Sequence, residues 1–160
     1  MPTLETAPAA SNILLTLTRI IRAPRARVYQ AWTNPEIVKQ WFGPGNMYCP
    51  HASVDARVGG AYSMEAAPTP EGLAANPNST GGTATGTFTR VVPNELLQFT
   101  WKPSWNPGEE SLVTVSLRDV DGGTELTLRH ENFASEQSRE GHNKGWSGCL
   151  DKLTAATEKL

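Results

Sequence analysis

Apolar and polar residues alternate through much of the second half of the chain. Leu97, Phe99 and Trp101 share one parity, as do Val113, Val115 and Leu117, and then Leu126, Leu128 and His130. Thr, Ser, Gln, Arg and Glu take most of the positions between them. Successive side chains of a strand point to opposite faces, so a period of two marks strands with one buried face. After Phe133 the period changes, and Trp146, Cys149, Leu150, Leu153 and Ala156 recur at helical spacing. A sheet with one apolar face and a helix with one apolar stripe can bury both only against each other. The shared interior would carry His130 on the sheet side and glycines on the helix side, which points to a lined cavity and not only a solid core.

The first half supplies the remaining elements. Asn12 to Arg22 reads as a strand with Ile13, Leu15, Leu17 and Ile21 on one parity, ended by Ala23-Pro24. Val28, Ala31 and Trp32 then fall at helical spacing. Asn34-Pro35-Glu36 predicts a second helix start, with Asn34 as N-cap, Pro35 in the first turn and Glu36 favourable to the helix dipole. Gly43-Pro44-Gly45 stops that helix. Met47 to Arg57 and Ala61 to Ala66 read as strands joined at Gly59-Gly60. Pro68 to Gly82 has almost no large apolar residue and is expected to be a mobile loop or a lid. Four strands follow: Thr83 to Val92, Leu96 to Lys102, Leu112 to Arg118 and Thr124 to His130. A wide loop separates Lys102 from Ser111, and Ser135 is placed to cap the last helix. Consecutive strands with short turns imply an antiparallel α+β meander.

Composition narrows the class. The 160 residues suffice for one domain with a real core. Hydrophobic residues at 38% and charged residues at 19% argue against disorder. A net charge of −2 argues against nucleic acid as partner, which calls for a basic patch. No apolar run is long enough for a membrane span, and Met1 to Ser11 lacks the features of a secretory signal. A cytoplasmic protein is therefore expected, with residues 1–11 as a disordered tail and 12–160 as a single domain. Cys49 and Cys149, the only cysteines, stand in no CxxC pattern and read as buried thiols.

An ordered series of residues carries a family resemblance. Ala23-Pro24, Ala31-Trp32-Thr33 and Pro35-Glu36 are followed by Trp41-Phe42-Gly43-Pro44. Asp55-Ala56-Arg57-Val58-Gly59-Gly60, Tyr62, Gly86, Pro93 and Leu97-Gln98-Phe99-Thr100-Trp101 come next. Val113-Thr114-Val115, Gly123-Thr124-Glu125-Leu126-Thr127-Leu128, His130, His142, Gly145-Trp146, Leu150 and Leu153 complete it. From Asn12 to Leu160 the chain resembles the family similar to the C-terminal domain of the activator of the 90-kDa heat-shock protein ATPase. That family lies within the superfamily of START lipid-transfer domains and polyketide cyclases (SRPBCC). The resemblance implies a helix-grip fold: a curved antiparallel sheet of six to seven strands around a long C-terminal helix, with two short helices after the first strand and a cavity inside. It leaves function open, because the superfamily hosts carriers, enzymes and chaperone partners on one scaffold.

Three readings of the chemistry follow. In the first, one small apolar or amphipathic molecule occupies the cavity, lined by Trp41, Phe42, Tyr48, Tyr62, Met64, Phe88, Phe99, Trp101, His130 and Trp146. In the second, His130 with Asp55 or Arg57 catalyses a cyclase- or hydrolase-like reaction, His130 as acid–base and Arg57 as carboxylate anchor. The plainer alternatives are a core histidine satisfied by hydrogen bonding and an ion pair at a strand end. In the third, the chain is a stress-response interaction protein with a chaperone as partner. No cofactor and no metal are expected, since Cys49-Pro50-His51 lacks ligand spacing. Monomer and homodimer stay open. Gly141, Gly145 and Gly148 each cost about 1 kcal/mol inside a helix, so either close packing or ligand room must offset them. Close packing is the preferred reading.

Overall fold

The computed structural model describes residues 11–160. Strand β1 (Leu14–Ile21) leads into helices α1 (Arg25–Thr33) and α2 (Pro35–Trp41). The short strands β2 (Met47–Tyr48) and β3 (Ala52–Val54) precede β4 (Ala61–Pro68) and helix α3 (Pro70–Ala75). Strands β5 (Gly82–Val92), β6 (Leu96–Pro103), β7 (Ser111–Val120) and β8 (Gly123–Glu131) run into the long helix α4 (Glu136–Glu158). All pairings are antiparallel, in the order β1-β8-β7-β6-β5-β4-β2, with β3 also on β4. The sheet thus has eight strands where six to seven are expected. The extra strand arises because Met47 to Arg57 is not continuous: Pro50, with no N–H to offer a ladder, separates β2 from β3.

The alternation sets the interior as expected. Leu97, Phe99 and Trp101 of β6, Val113, Val115 and Leu117 of β7, and Leu126, Leu128 and His130 of β8 are all buried. Register places Phe99 beside Val113 and Val113 beside His130, so these side chains form one continuous face. Curvature has local causes. The register of β5 against β6 shifts between Phe88 and Arg90, the mark of a bulge that bends a strand. At Gly86 an added Cβ would lie 2.0 Å from the Thr100 carbonyl oxygen, so only glycine permits that approach of β5 to β6.

Helix α4 grips this face. The Ser135 hydroxyl accepts from the Ser138 N–H at 3.0 Å and starts the helix. Its inner stripe, with His142, Trp146, Cys149, Leu150 and Leu153, is buried against the sheet and the short helices. Asn34 caps α2 by accepting from the Glu36 N–H at 3.0 Å. One expectation changes. Pro68 to Gly82 is not wholly irregular, because Thr69-Pro70-Glu71 repeats the Asn34-Pro35-Glu36 signature and starts α3, with the Thr69 hydroxyl accepting from the Gly72 N–H. Ser11, at the end of the expected tail, donates its N–H to Asn132 Oδ1 at 2.7 Å, while residues 1–10 lie outside those described.

Candidate functional site

Between the first half of α4 and the part of the sheet marked by Met47, Ala66, Gly82 and Trp101 lies an open cavity of ≈ 610 Å³. Its inner wall is aromatic. The rings of Trp101 and Trp146 stand 5.0 Å apart, and Phe42 sits 6.4 Å from Trp101. Trp105, from the loop between β6 and β7, covers one side at 6.3 Å from Trp101 and 5.9 Å from His142. It lies over Gly82, where an added Cβ would come within 2.5 Å of the indole.

Both wall tryptophans are held by histidines. Trp146 Nε1–H donates to His130 Nδ1 at 3.0 Å, and Trp101 Nε1–H donates to His142 Nε2 at 3.1 Å. An indole N–H can only donate, so each histidine presents a lone pair there and carries its proton on the other nitrogen. His130 Nε2–H then donates to Ser111 Oγ at 2.7 Å, and His142 Nδ1–H to the Ser138 carbonyl at 2.9 Å. Both imidazoles are neutral. Burial, reinforced by the nearby His142, pushes the His130 pKa well below its ordinary value. Burial lowers His142 too, partly offset by its bond to the Ser138 carbonyl and by the charge of Glu109.

Glu109 is the buried acid of this region. Its Oε2 accepts from the Ala134 N–H at 2.7 Å, and its Oε1 accepts from the Ser138 hydroxyl and the Asn106 amide, both at 2.7 Å. Burial alone would raise its pKa, but these hydrogen bonds, with a small contribution from His142, hold the carboxyl below its ordinary value. The carboxylate fastens the Trp105 loop to the start of α4. Nothing in the sequence marks this role, because Glu109 and Ala134 are 25 positions apart and belong to no local motif.

The expected site residues divide into groups. Phe42, Trp101 and Trp146 line the cavity. His130 is fully buried behind Trp146 and does not line it. Tyr62, Met64, Phe88 and Phe99 point inward but pack with Trp32 at the far end of the sheet, around only ≈ 10 Å³ of space. Trp41 is fully buried under the helices and donates to the Ala31 carbonyl at 2.7 Å, while Tyr48 is 49% exposed. Asp55 and Arg57 do not approach His130. They lie in the turn after β3, where Arg57 N–H bonds to the Asp55 carbonyl, and their side chains pair at 2.9 Å in solvent. Residues not anticipated as lining include Met47, Ala66, Cys149, Asn106, Gln137 and Ser138, which come from four separate parts of the chain.

The glycines of α4 are explained by space. An added Cβ at Gly141 would meet nothing within 4 Å, and one at Gly145 only Pro44 Cγ at 3.9 Å. Both line the cavity, which corrects the preferred reading of close packing for these two. Gly148 does pack near Pro44, at 3.4 Å. Cys149 also faces the cavity, but burial pushes its thiol up to about 11, which leaves it a poor nucleophile. Among the described residues no cluster of three His, Cys, Asp or Glu side chains is placed to hold a metal, and no helix is long and apolar enough to cross a membrane.

A curled antiparallel sheet closed by a long C-terminal helix, with a cavity between them, defines a helix-grip domain of the START-like class. Residues 22–158 match the family model described as activator of Hsp90 ATPase homolog 1-like protein, and the chain belongs to that family. A crystal structure of a protein from Chromobacterium violaceum superposes with a TM-score of 0.78 at 28% identity, covering 91% of this chain and 96% of that one. The solution structure of an AHSA1-like protein from Aeromonas hydrophila gives 0.73 at 24% identity, over 92% and 93%. A Rhodobacter sphaeroides protein gives 0.77 at 21% identity, over 96% and 97%. No curated protein matches the chain significantly.

Proposed function

We propose that this chain binds one small apolar or amphipathic molecule in the cavity between Trp101, Trp146 and the first half of α4. The observation that carries this reading is the pair of glycines facing the cavity. Helix interiors disfavour glycine by about 1 kcal/mol each, and here an added Cβ would meet nothing within 4 Å at Gly141 and only Pro44 Cγ at Gly145, both of which line the cavity. A cavity of ≈ 610 Å³ with mostly apolar walls and a few polar groups suits a small organic ligand. The acid–base reading gains no support from Asp55 and Arg57, which pair with each other at the surface.

The test is to block the cavity without harming the fold. 2-Naphthylmethanol, a neutral aromatic probe, should bind at 1:1 and shift the indole N–H resonances of Trp101 and Trp146. Gly145→Leu should abolish saturable binding while leaving the thermal midpoint unchanged or raised, because leucine is the better helix former. Saturable binding that survives Gly145→Leu would place the ligand elsewhere.

A further inference from the structure

The charge of the ligand follows from how the cavity is walled. Among the described residues, none that lines it is Asp, Glu, Lys or Arg. The two titratable groups on the wall, His142 and Cys149, are held neutral by their surroundings. Two ionised groups stand just behind the wall, and both have turned toward the protein. Glu109, 8% exposed, spends its two oxygens on Ala134, Ser138 and Asn106. By accepting from Ala134 and Ser138 it also places a negative charge beside the first turn of α4, the end of a helix that otherwise attracts anions. On the opposite side, the three protons of Lys152 Nζ go to the carbonyls of Gly43, Gly45 and Met47, the loop that carries Pro44 and Met47 into the wall. A charged group carried past the mouth to this wall would therefore shed its water without gaining a counter-ion, which is the costly case for burial.

The polar groups that remain available are neutral. Gln137, exposed at the mouth, makes no side-chain hydrogen bond among the described residues, and Asn106 uses only its amide nitrogen, which leaves its oxygen free to accept. Gln137 belongs to the first turn of α4, and Asn106 to the β6–β7 loop that Glu109 ties to that turn. Resting on the proposal that this cavity holds a ligand, we infer that it selects an uncharged molecule: an apolar, ring-sized body against the aromatic wall and one neutral hydrogen-bonding end, such as a hydroxyl, carbonyl or amide, toward Asn106 and Gln137.

Three probes sharing one ring separate charge from shape: 2-naphthylmethanol, 2-naphthoate and 2-naphthylmethylammonium, titrated calorimetrically at pH 7.5. The alcohol should bind at least about tenfold more tightly than either ion, reflecting the penalty of burying an unpaired charge. If the carboxylate binds as tightly as the alcohol, this inference is overturned and the cavity reading stands. An ammonium probe binding as tightly or better would likewise overturn it, with the indoles then acting as a cage for cations. If none of the three shows a saturable site, both this inference and the binding proposal fall together.

Discussion

At one end of the sheet's inner face, Tyr62, Met64, Phe88 and Phe99 close on Trp32 of α1 and leave about 10 Å³ between them. At the other, Trp101 of the same sheet and Trp146 of α4 together border an open space of ≈ 610 Å³. The strands supply large side chains to both ends, so the sheet does not make the difference. The helices do. α1 lays Trp32 on the sheet, 6.3 Å from Phe99, and α2 tucks Trp41 beneath it at 4.8 Å. α4 lines its part of the open space with Gly141 and Gly145, which bring no side chain to fill it. Polar pairing differs as well. The indole N–H groups of Trp101 and Trp146 at the hollow end both find histidine acceptors, whereas that of Trp32 at the filled end is buried without a partner among the described residues. The filled end is held by packing, and the hollow end by hydrogen bonds that keep its walls upright around a space.

The sharpest way to break this contrast is at its ends. Phe99→Ala should cost about 3–5 kcal/mol, the range for removing a large ring from a packed core, as measured by denaturant unfolding. His130→Ala should cost about 3 kcal/mol or more, because it leaves the Trp146 N–H and Ser111 hydroxyl unpaired as well as a void. A loss below about 1 kcal/mol for His130→Ala would show that the hollow end does not depend on its hydrogen bonds.

Acid should weaken the hollow end first. Both histidines have folded pKa values below the ordinary 6.5, so the unfolded chain takes up protons that the folded chain refuses. Stability is then level above about pH 6.5 and falls as pH drops, by at most about 1.4 kcal/mol per pH unit for each histidine, until each folded pKa is reached. Glu109, lowered from 4.5, adds its own loss below that value. Urea unfolding from pH 8 to 4 reads this directly, and a flat profile between 7 and 5 would mean that the two imidazoles are not buried neutral. The smallest effect belongs to Arg57→Ala. Its solvent-exposed pair with Asp55 should contribute under about 1 kcal/mol, and the variant should bind 2-naphthylmethanol as the parent does. A clear loss of binding would return Asp55 and Arg57 to the site.

Local pattern determined the elements and which way they face. The alternation in β6, β7 and β8, the Asn34-Pro35-Glu36 helix start and the Ser135 cap all act within a few residues of one another, so each can be read from neighbouring letters. α3 was legible by the same rule, in Thr69-Pro70-Glu71, though the polar composition around it points to a loop. The cavity was legible only in outline. Inward parity places Phe99, Trp101 and His130 on one face, but it cannot say that Phe99 will be filled over, that Trp101 will border open volume, or that His130 will stand behind Trp146. Those outcomes depend on which helix lies opposite each strand residue and how deep its side chains reach. The same holds for Glu109, whose partners Asn106, Ala134 and Ser138 meet only when the β6–β7 loop folds down on α4. Sequence spacing sets the direction of a side chain through the 2.0 and 3.6 residue periods. Distance across the interior is set by tertiary packing, and it alone decided where this protein is solid and where it has room.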